Sequence, residues 1–325
     1  MRRRVISCCW RGLACASLLF VVCFGAWAQT ETLFFRIGAA STGGSFFDVG
    51  GIIASAISSP VEGSACTTGG GCGVPGLVAV AQATQGSVEN LRLINAKQLE
   101  SGFAQADLAA MAFVGSGIFA EEGPMPRLRA IASLVPEALH VVVRVESPIR
   151  SIADLAGKTV AVGEAGSGTA ANAAVLLAAA GLQGDDVTRK NLRPTQAAEE
   201  MKAGTLDALI LAGIQPVPAI QELAATLPVR LVPVTDGVAA KLESEYVSYM
   251  PTTIPAGTYR NVDIDTESIG FYALWVVDGD LAPDLIYNVT RAVWSDGAAK
   301  LFAGSAIGKQ IKFADALKGV SLPLH

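Results

Sequence analysis

Two stretches of this chain share one arrangement. In LFFRIGAASTGGSFFDVGG, residues 33–51, and in TVAVGEAGSGTAANAAVLLAAAG, residues 159–181, a short apolar run passes through a turn of glycines and hydroxyls into an apolar run of helical length. A strand that feeds a helix needs a crossover to reach its next neighbour, and crossovers make parallel pairs. Such sheets are buried on both faces, so their strands read as short apolar runs rather than as alternating ones. Finding the pattern twice predicts an α/β fold built from two units. The 34 glycines and the 6% aromatic content suit that packing.

The rest of the chain fills in both units. LVAVAQAT predicts a strand, GSVENLRLINAKQLE a helix, and ADLAAMAF, Ala106 to Phe113, a third strand. RAIASLVPEALHVVVRV predicts two strands separated by Pro136, the second leading out of the first unit. From Ser147 the pattern restarts with a short helical approach, SPIRSIADLAGK. After the glycine turn come helix TQAAEEMKAG, strand TLDALILAG, helix VPAIQELAAT and strand VRLVPV. Pro251 to Gly257 breaks regularity, GFYALWVV predicts a buried strand, and PDLIYNVTRAVWSDGAAKLF one closing helix packed back on the first unit.

The opening residues predict the compartment. MRRR and Arg11 give a positive start, LACASLLFVVCFGAW is apolar, and Ala26-Trp27-Ala28 is a small-x-small cleavage signal. The apolar run is shorter than the roughly 20 residues of a spanning helix, so residues 1–28 are expected to be a cleaved signal peptide and the chain periplasmic. Losing Arg2, Arg3, Arg4 and Arg11 takes the net charge from -5 to -9. That acidity argues against nucleic acid as a partner. Of six cysteines, Cys66 and Cys72 alone remain after cleavage. In CTTGGGC an oxidising compartment favours a disulfide staple; free thiols and half of a metal site are the alternatives, and no histidine cluster accompanies the pair.

GEAGSGT spaces Gly163 and Gly168 as a phosphate-binding loop does, but Thr169 stands where that loop has lysine. A nucleotide reading therefore fails, and two remain. Backbone N–H groups and the dipole of the following helix favour any small anion, with Ser167 and Thr169 as hydroxyl donors. The same turn also serves as a plain N-cap with no ligand. STGGS, residues 41–45, repeats the arrangement, and open α/β sheets bind ligands outside the carboxyl ends of their strands, so the two turns are expected to face each other across a cleft. TQGSVEN adds Gln85, Ser87 and Asn90 as side-chain contacts, with N-capping by Ser87 as the other role. Catalysis lacks the necessary parts: His140 lies inside an apolar run and His325 at the last position, so a Ser-His-Asp triad has almost no histidine to draw on. No enzyme activity and no cofactor are expected.

The ordered motifs IGAASTGGSFFDVGG, TQGSVENLRLI, AQADLA, LHVVVR, SIADLAGKTVAVGEAGSGT, TIPAGTY and LPLH resemble those of the TAXI family of TRAP transporter solute receptors, from about Phe35 onward. The resemblance implies a two-lobed, type II-like periplasmic-binding-protein fold with a ligand cleft between the lobes. Residues 29–143 plus 250–325 would form lobe 1, and residues 144–249 lobe 2. It implies a monomeric receptor that binds a small carboxylate such as glutamate, glutamine or 2-oxoglutarate and delivers it to membrane permease subunits. Carried over, the contacts are Thr42, Gly43, Gly44, Ser45 and Phe46, then Gln85, Ser87 and Asn90, then Gln105, then Ser167, Gly168 and Thr169. Phe46 and Phe47 replace an aromatic pair such as Tyr-Tyr, Gln85 replaces a Thr or Ser, and Gln215 stands where the family has a small or apolar residue, as a ligand contact or a solvated loop residue. The rival functions are a ligand-bound sensor or scaffold module for a membrane receptor and a periplasmic hydrolase using Ser167.

Overall fold

A computed structural model describes residues 32–59, 73–246 and 248–325. The expected signal segment and the Cys66–Cys72 loop lie outside those residues. In chain order the first half comprises β1 (Leu33–Gly38), α1 (Ser45–Ile57), the two-residue strands β2 (Ser58–Ser59) and β3 (Val74–Pro75), β4 (Leu77–Gln82), α2 (Ser87–Asn95), β5 (Ser101–Gln105) and α3 (Ala106–Val114). The long β6 (Leu128–Arg144) leads into β7 (Thr159–Ala161), α4 (Gly168–Ala179), β8 (Thr188–Lys190), α5 (Pro194–Lys202), β9 (Ala208–Gly213), α6 (Pro218–Thr226), β10 (Val229–Leu231) and α7 (Asp236–Glu245). The chain returns through β11 (Met250–Ile254) and β12 (Thr266–Asp278) and closes with α8 (Pro283–Val293) and α9 (Asp296–Phe302).

The main sheet runs β4-β1-β5-β12-β6-β9-β7-β8, with β10 on β6 and β11 on β12. Its two ends are built alike. β1 lies parallel between β4 and β5, and β7 lies parallel between β8 and β9, so each end has its first strand in the middle. β6 and β12 are antiparallel to each other and belong to both ends. Residues Leu128–Ala138 of β6 pair with β12, whereas Ala138–Val143 pair with β9.

Helices cover both faces. Apolar residues of α1, α8 and α9 pack on β1 in one core, and those of α2 and α3 pack on the opposite face against β5 and β12. At the other end α4 and α7 cover one face while α5 and α6 cover the other. The α/β class read from the sequence is the class observed, and no helix among the described residues is long and apolar enough to cross a membrane.

Four local expectations are corrected. ADLAAMAF is not a strand but α3, and the strand is SGFAQ just before it. A short apolar run has no period to decide between the two, yet Ala, Leu and Met favour helix and no β-branched residue opposes them before Val114. Gly115, at φ 68°, ends the helix in the left-handed conformation. Pro136 does not divide β6; it sits opposite Tyr272, beside a register shift, where the missing N–H interrupts a ladder already irregular. Pro251 lies inside β11, which pairs only with β12, so its unpaired side needs no donor. The closing helix is two helices, because Ser295 Oγ accepts from the Ala298 N–H at 3.2 Å and starts α9.

Candidate functional site

The strand order places the site. In an open sheet, the strand whose two neighbours leave in opposite directions opens a crevice at its carboxyl end. β1 ends in the STGGS turn and its neighbour β5 ends at Gln105, while β7 ends in GEAGSGT and its neighbour β9 runs through Leu211 and Ala212. These four strand ends meet at one pocket. Its lining includes Ser41, Gly44, Ser45, Phe46, Gln85 and Ser87 from one end of the sheet, and Gly163, Glu164, Ser167, Gly168, Thr169 and Ala212 from the other, with Gln105 and Glu137 between them. The pocket volume is about 50 Å³, room for a few water-sized groups.

Five helices begin at this pocket. Their first residues are Ser45, Ser87, Ala106, Gly168 and Pro194, and the N-cap or first residue of each lines it. Of the five, α4 alone has a side-chain cap bond: Ser167 Oγ accepts from the Ala170 N–H at 3.0 Å and donates to the Glu164 carbonyl at 2.7 Å. That hydroxyl is fully committed. Ser87 and Thr169 differ, because each hydroxyl oxygen accepts a backbone N–H (Gln105 at 3.2 Å and Ala212 at 3.1 Å) and keeps its own proton to donate. Anion-favouring helix dipoles and two free O–H donors thus share one space.

The turns touch across the pocket. Ser41 Oγ donates to Glu164 Oε2 at 2.5 Å, and Arg193 Nε holds Glu164 Oε1 at 3.1 Å. The Glu89 N–H, in the first turn of α2, donates to the Gly166 carbonyl at 3.2 Å, and Ala219 N–H to the Gly43 carbonyl at 3.1 Å. Close approach explains the glycines: a Cβ on Gly166, at φ 84°, would stand 2.6 Å from Gln85 Oε1, and one on Gly168 would stand 2.7 Å from Ser87 Oγ. On Gly43, at φ 87°, it would meet Thr195 Cγ2 at 2.8 Å.

The remaining expected contacts fall elsewhere. Thr42 lines a neighbouring pocket of about 320 Å³ with Thr84, Glu89 and Arg193, and Gly43 lies against Thr195. Asn90 is wholly buried behind the pocket, where Nδ2 donates to the carbonyls of Gly38 (2.9 Å), Ala39 (2.8 Å) and Phe103 (2.8 Å) and Oδ1 accepts from Thr84 (2.7 Å). It ties β1 to β5 at their carboxyl ends. Gln215 does not line the pocket: its Nε2 donates to the Thr253 carbonyl at 3.3 Å, and its own carbonyl accepts from Gln310 at 2.5 Å. His140 is enclosed by Tyr259 (Nε2 to hydroxyl, 2.9 Å) and by the Ala138 carbonyl (Nδ1, 3.0 Å). Burial pushes its pKa down to about 4, so it stays neutral near pH 7.

Sequence reading missed Ser41, Glu164 and Glu137. The first two lay within turns already singled out. Glu137 carried its own signal, a carboxylate inside the apolar run LVPEALHVVV, and in the fold it reaches the pocket from the point where β6 passes between the two ends. Burial pushes its carboxyl up to about 8, the Gln105 side chain opposes that by hydrogen bonding, and the nearby Asp107 carboxylate adds to it. Because the folded-state value is raised, the neutral form stabilises the fold at low pH. That contribution is lost as pH rises from about 4.5 through 8. Glu137→Gln is therefore expected to raise the melting temperature of the free protein at pH 8 by much more than at pH 5, the difference amounting to a few kcal/mol; equal shifts at the two pH values would contradict it.

Several solved structures share the general form. The alkanesulfonate-binding protein SsuA from Xanthomonas axonopodis pv. citri, bound to MOPS, is 16% identical, with 84% of this chain and 74% of that one covered at a TM-score of 0.48. The periplasmic aliphatic sulphonate binding protein SsuA from Escherichia coli is 16% identical over 86% of this chain and 79% of its own, at 0.44. An ancestral arginine-binding protein bound to arginine is 14% identical over 83% and 97%, at 0.47. Residues 37–325 match a single family model over nearly the whole described chain, and the protein belongs to the NMT1-like family.

Proposed function

We propose that this protein is an extracytoplasmic solute receptor of the TRAP type, within the TAXI group, that closes on a small carboxylate such as glutamate, glutamine or 2-oxoglutarate and presents it to membrane permease subunits. The observation that carries the reading is the convergence of five helix N-termini and the free hydroxyl protons of Ser87 and Thr169 on one pocket. Lobe 1 would comprise residues 29–143 plus 250–325 and lobe 2 residues 144–249, with β6 and β12 as the strands that bend between them. A receptor needs a hinge and an anion cradle, not a nucleophile with a base. Ser167, committed to its cap, and His140, enclosed by Tyr259, leave a hydrolase without parts. A cleaved signal peptide and a periplasmic location belong to the same reading.

The test is calorimetric titration and thermal denaturation of residues 29–325 after ligand stripping. A true ligand at a hundred times its Kd is expected to add about 2.7 kcal/mol of stability. Silence toward every amino acid and organic acid would overturn the proposal. Within the site, Thr169→Val and Ser87→Ala are each expected to weaken binding by about 1 kcal/mol, roughly fivefold. Ser167→Ala should instead cost about 1 kcal/mol of stability through its lost cap. Full affinity in both Thr169→Val and Ser87→Ala would remove these donors from the site.

A further inference from the structure

The pocket has two chemically opposite sides. One is rich in donors, the helix N-termini with Ser87 and Thr169. The other holds Glu137 and Gln105, 3% and 2% exposed, whose Oε2 and Oε1 atoms receive no hydrogen bond from any described residue. Buried acceptors are almost always satisfied, and a pair left open in a cleft marks a place for donors that come from outside the protein. No Lys, Arg or His is among the residues lining this pocket. Charge on Glu137 therefore has no partner there from the protein itself.

Resting on the reading of this cleft as a solute site, we propose that Glu137 and Gln105 form a subsite for the ammonium group of an α-amino acid, whose carboxylate faces the helix N-termini. Glu137 is then a specificity-determining residue: it selects amino acids against the 2-oxo acids and dicarboxylates that share their skeleton. An ammonium offers three donors in a compact cluster, which suits two open acceptors on residues that line one pocket. An oxo acid or a second carboxylate offers only further acceptors and leaves Glu137 and Gln105 unsatisfied.

Binding of this kind is linked to protons. The groups around Glu137 are Asp107 at the start of α3 with Tyr249 beyond it, Glu164 with its partner Arg193 before α4, and His140 farther along β6. Burial brings Asp107 up to about 6 and His140 down to about 4, so the range from pH 7 to 8.5 belongs chiefly to Glu137. An ammonium needs the carboxylate, and affinity should rise as pH rises through that range. Had Glu137 served as a neutral acid donating to a ligand carboxylate, affinity would fall instead.

The experiment titrates ligand-stripped wild type and Glu137→Gln with the standard L-amino acids and with pyruvate, 2-oxoglutarate and succinate, at pH 6.5 and 8.5. Expected is at least one amino acid bound about tenfold or more tighter than its 2-oxo counterpart, with an affinity about tenfold higher at pH 8.5 than at 6.5. Both the preference and the pH dependence should vanish in Glu137→Gln. The wild-type pH series and the amino-to-oxo ratio stand without the variant, should it misfold. Oxo acids or dicarboxylates bound equally well, affinity falling with pH, or an unaltered preference in folded Glu137→Gln would each overturn the ammonium subsite while leaving the receptor reading intact. Silence toward all of these compounds would overturn both.

Discussion

Gly168→Ala is expected to lower ligand affinity by about 5- to 150-fold while leaving the free protein folded. Gly168 is the first residue of α4, and a Cβ there would overlap Gln105 Oε1 and stand 2.7 Å from Ser87 Oγ. Ser87 Oγ is held by the Gln105 N–H, and the end of Gln105 can yield only into the pocket itself, where a ligand would sit. Overpacking of this sort costs about 1–3 kcal/mol. In the proposed receptor that cost arises when the glycine turn closes on the opposite side of the pocket, because the helix itself accepts alanine more readily than glycine. A free protein that opens slightly avoids it, and a ligand that requires closure does not. Gly51→Ala is the control: it lies in α1 with nothing within 4 Å of the added Cβ, and should leave affinity unchanged and stability equal or higher. Titration calorimetry on both variants decides the matter, and equal affinity in wild type and Gly168→Ala would remove close approach at this turn from the binding mechanism.

Asn90→Ala should be the most destabilising single change near the site, by about 4 kcal/mol. The two N–H groups of one amide are shared among three carbonyls at the ends of β1 and β5, and its oxygen takes the Thr84 hydroxyl. Truncation leaves those buried groups unpaired at about 1–3 kcal/mol for each that water cannot reach. Asn90→Asp should be no better, since a carboxylate faces the same carbonyls with no donors. Chemical denaturation measures the loss. Wild-type stability combined with lost binding in Asn90→Ala would instead make Asn90 a direct ligand contact.

Asn90 and Glu137 show where sequence reading stops. TQGSVEN offers Gln85, Ser87 and Asn90 on equal terms, as polar residues near one helix start. In three dimensions Gln85 and Ser87 line the pocket, while Asn90, a turn deeper, points back at the strand ends. Which way a helical side chain faces depends on what its helix packs against, and that partner, β5, forms later in the chain. Glu137 is the converse case. A carboxylate in an apolar strand signals something, yet only the pairing of β6 with both β12 and β9 brings it between two glycine turns more than 120 residues apart. The misread α3 belongs here too, because alanine-rich runs carry no period and tertiary burial decides them.

The sequence by itself determined the α/β class, the two strand-turn-helix units and the glycine turns that begin α1 and α4. These rest on local physics: glycine reaches positive φ, apolar runs seek burial, and hydroxyls sit at helix starts. Tertiary structure decided that the two turns share one pocket, that Ser87 and Thr169 keep free protons while Ser167 does not, and that the acceptors of Glu137 and Gln105 stay open. Each of those facts concerns which donor meets which acceptor, and long-range strand pairing settles the matches between residues far apart in the chain.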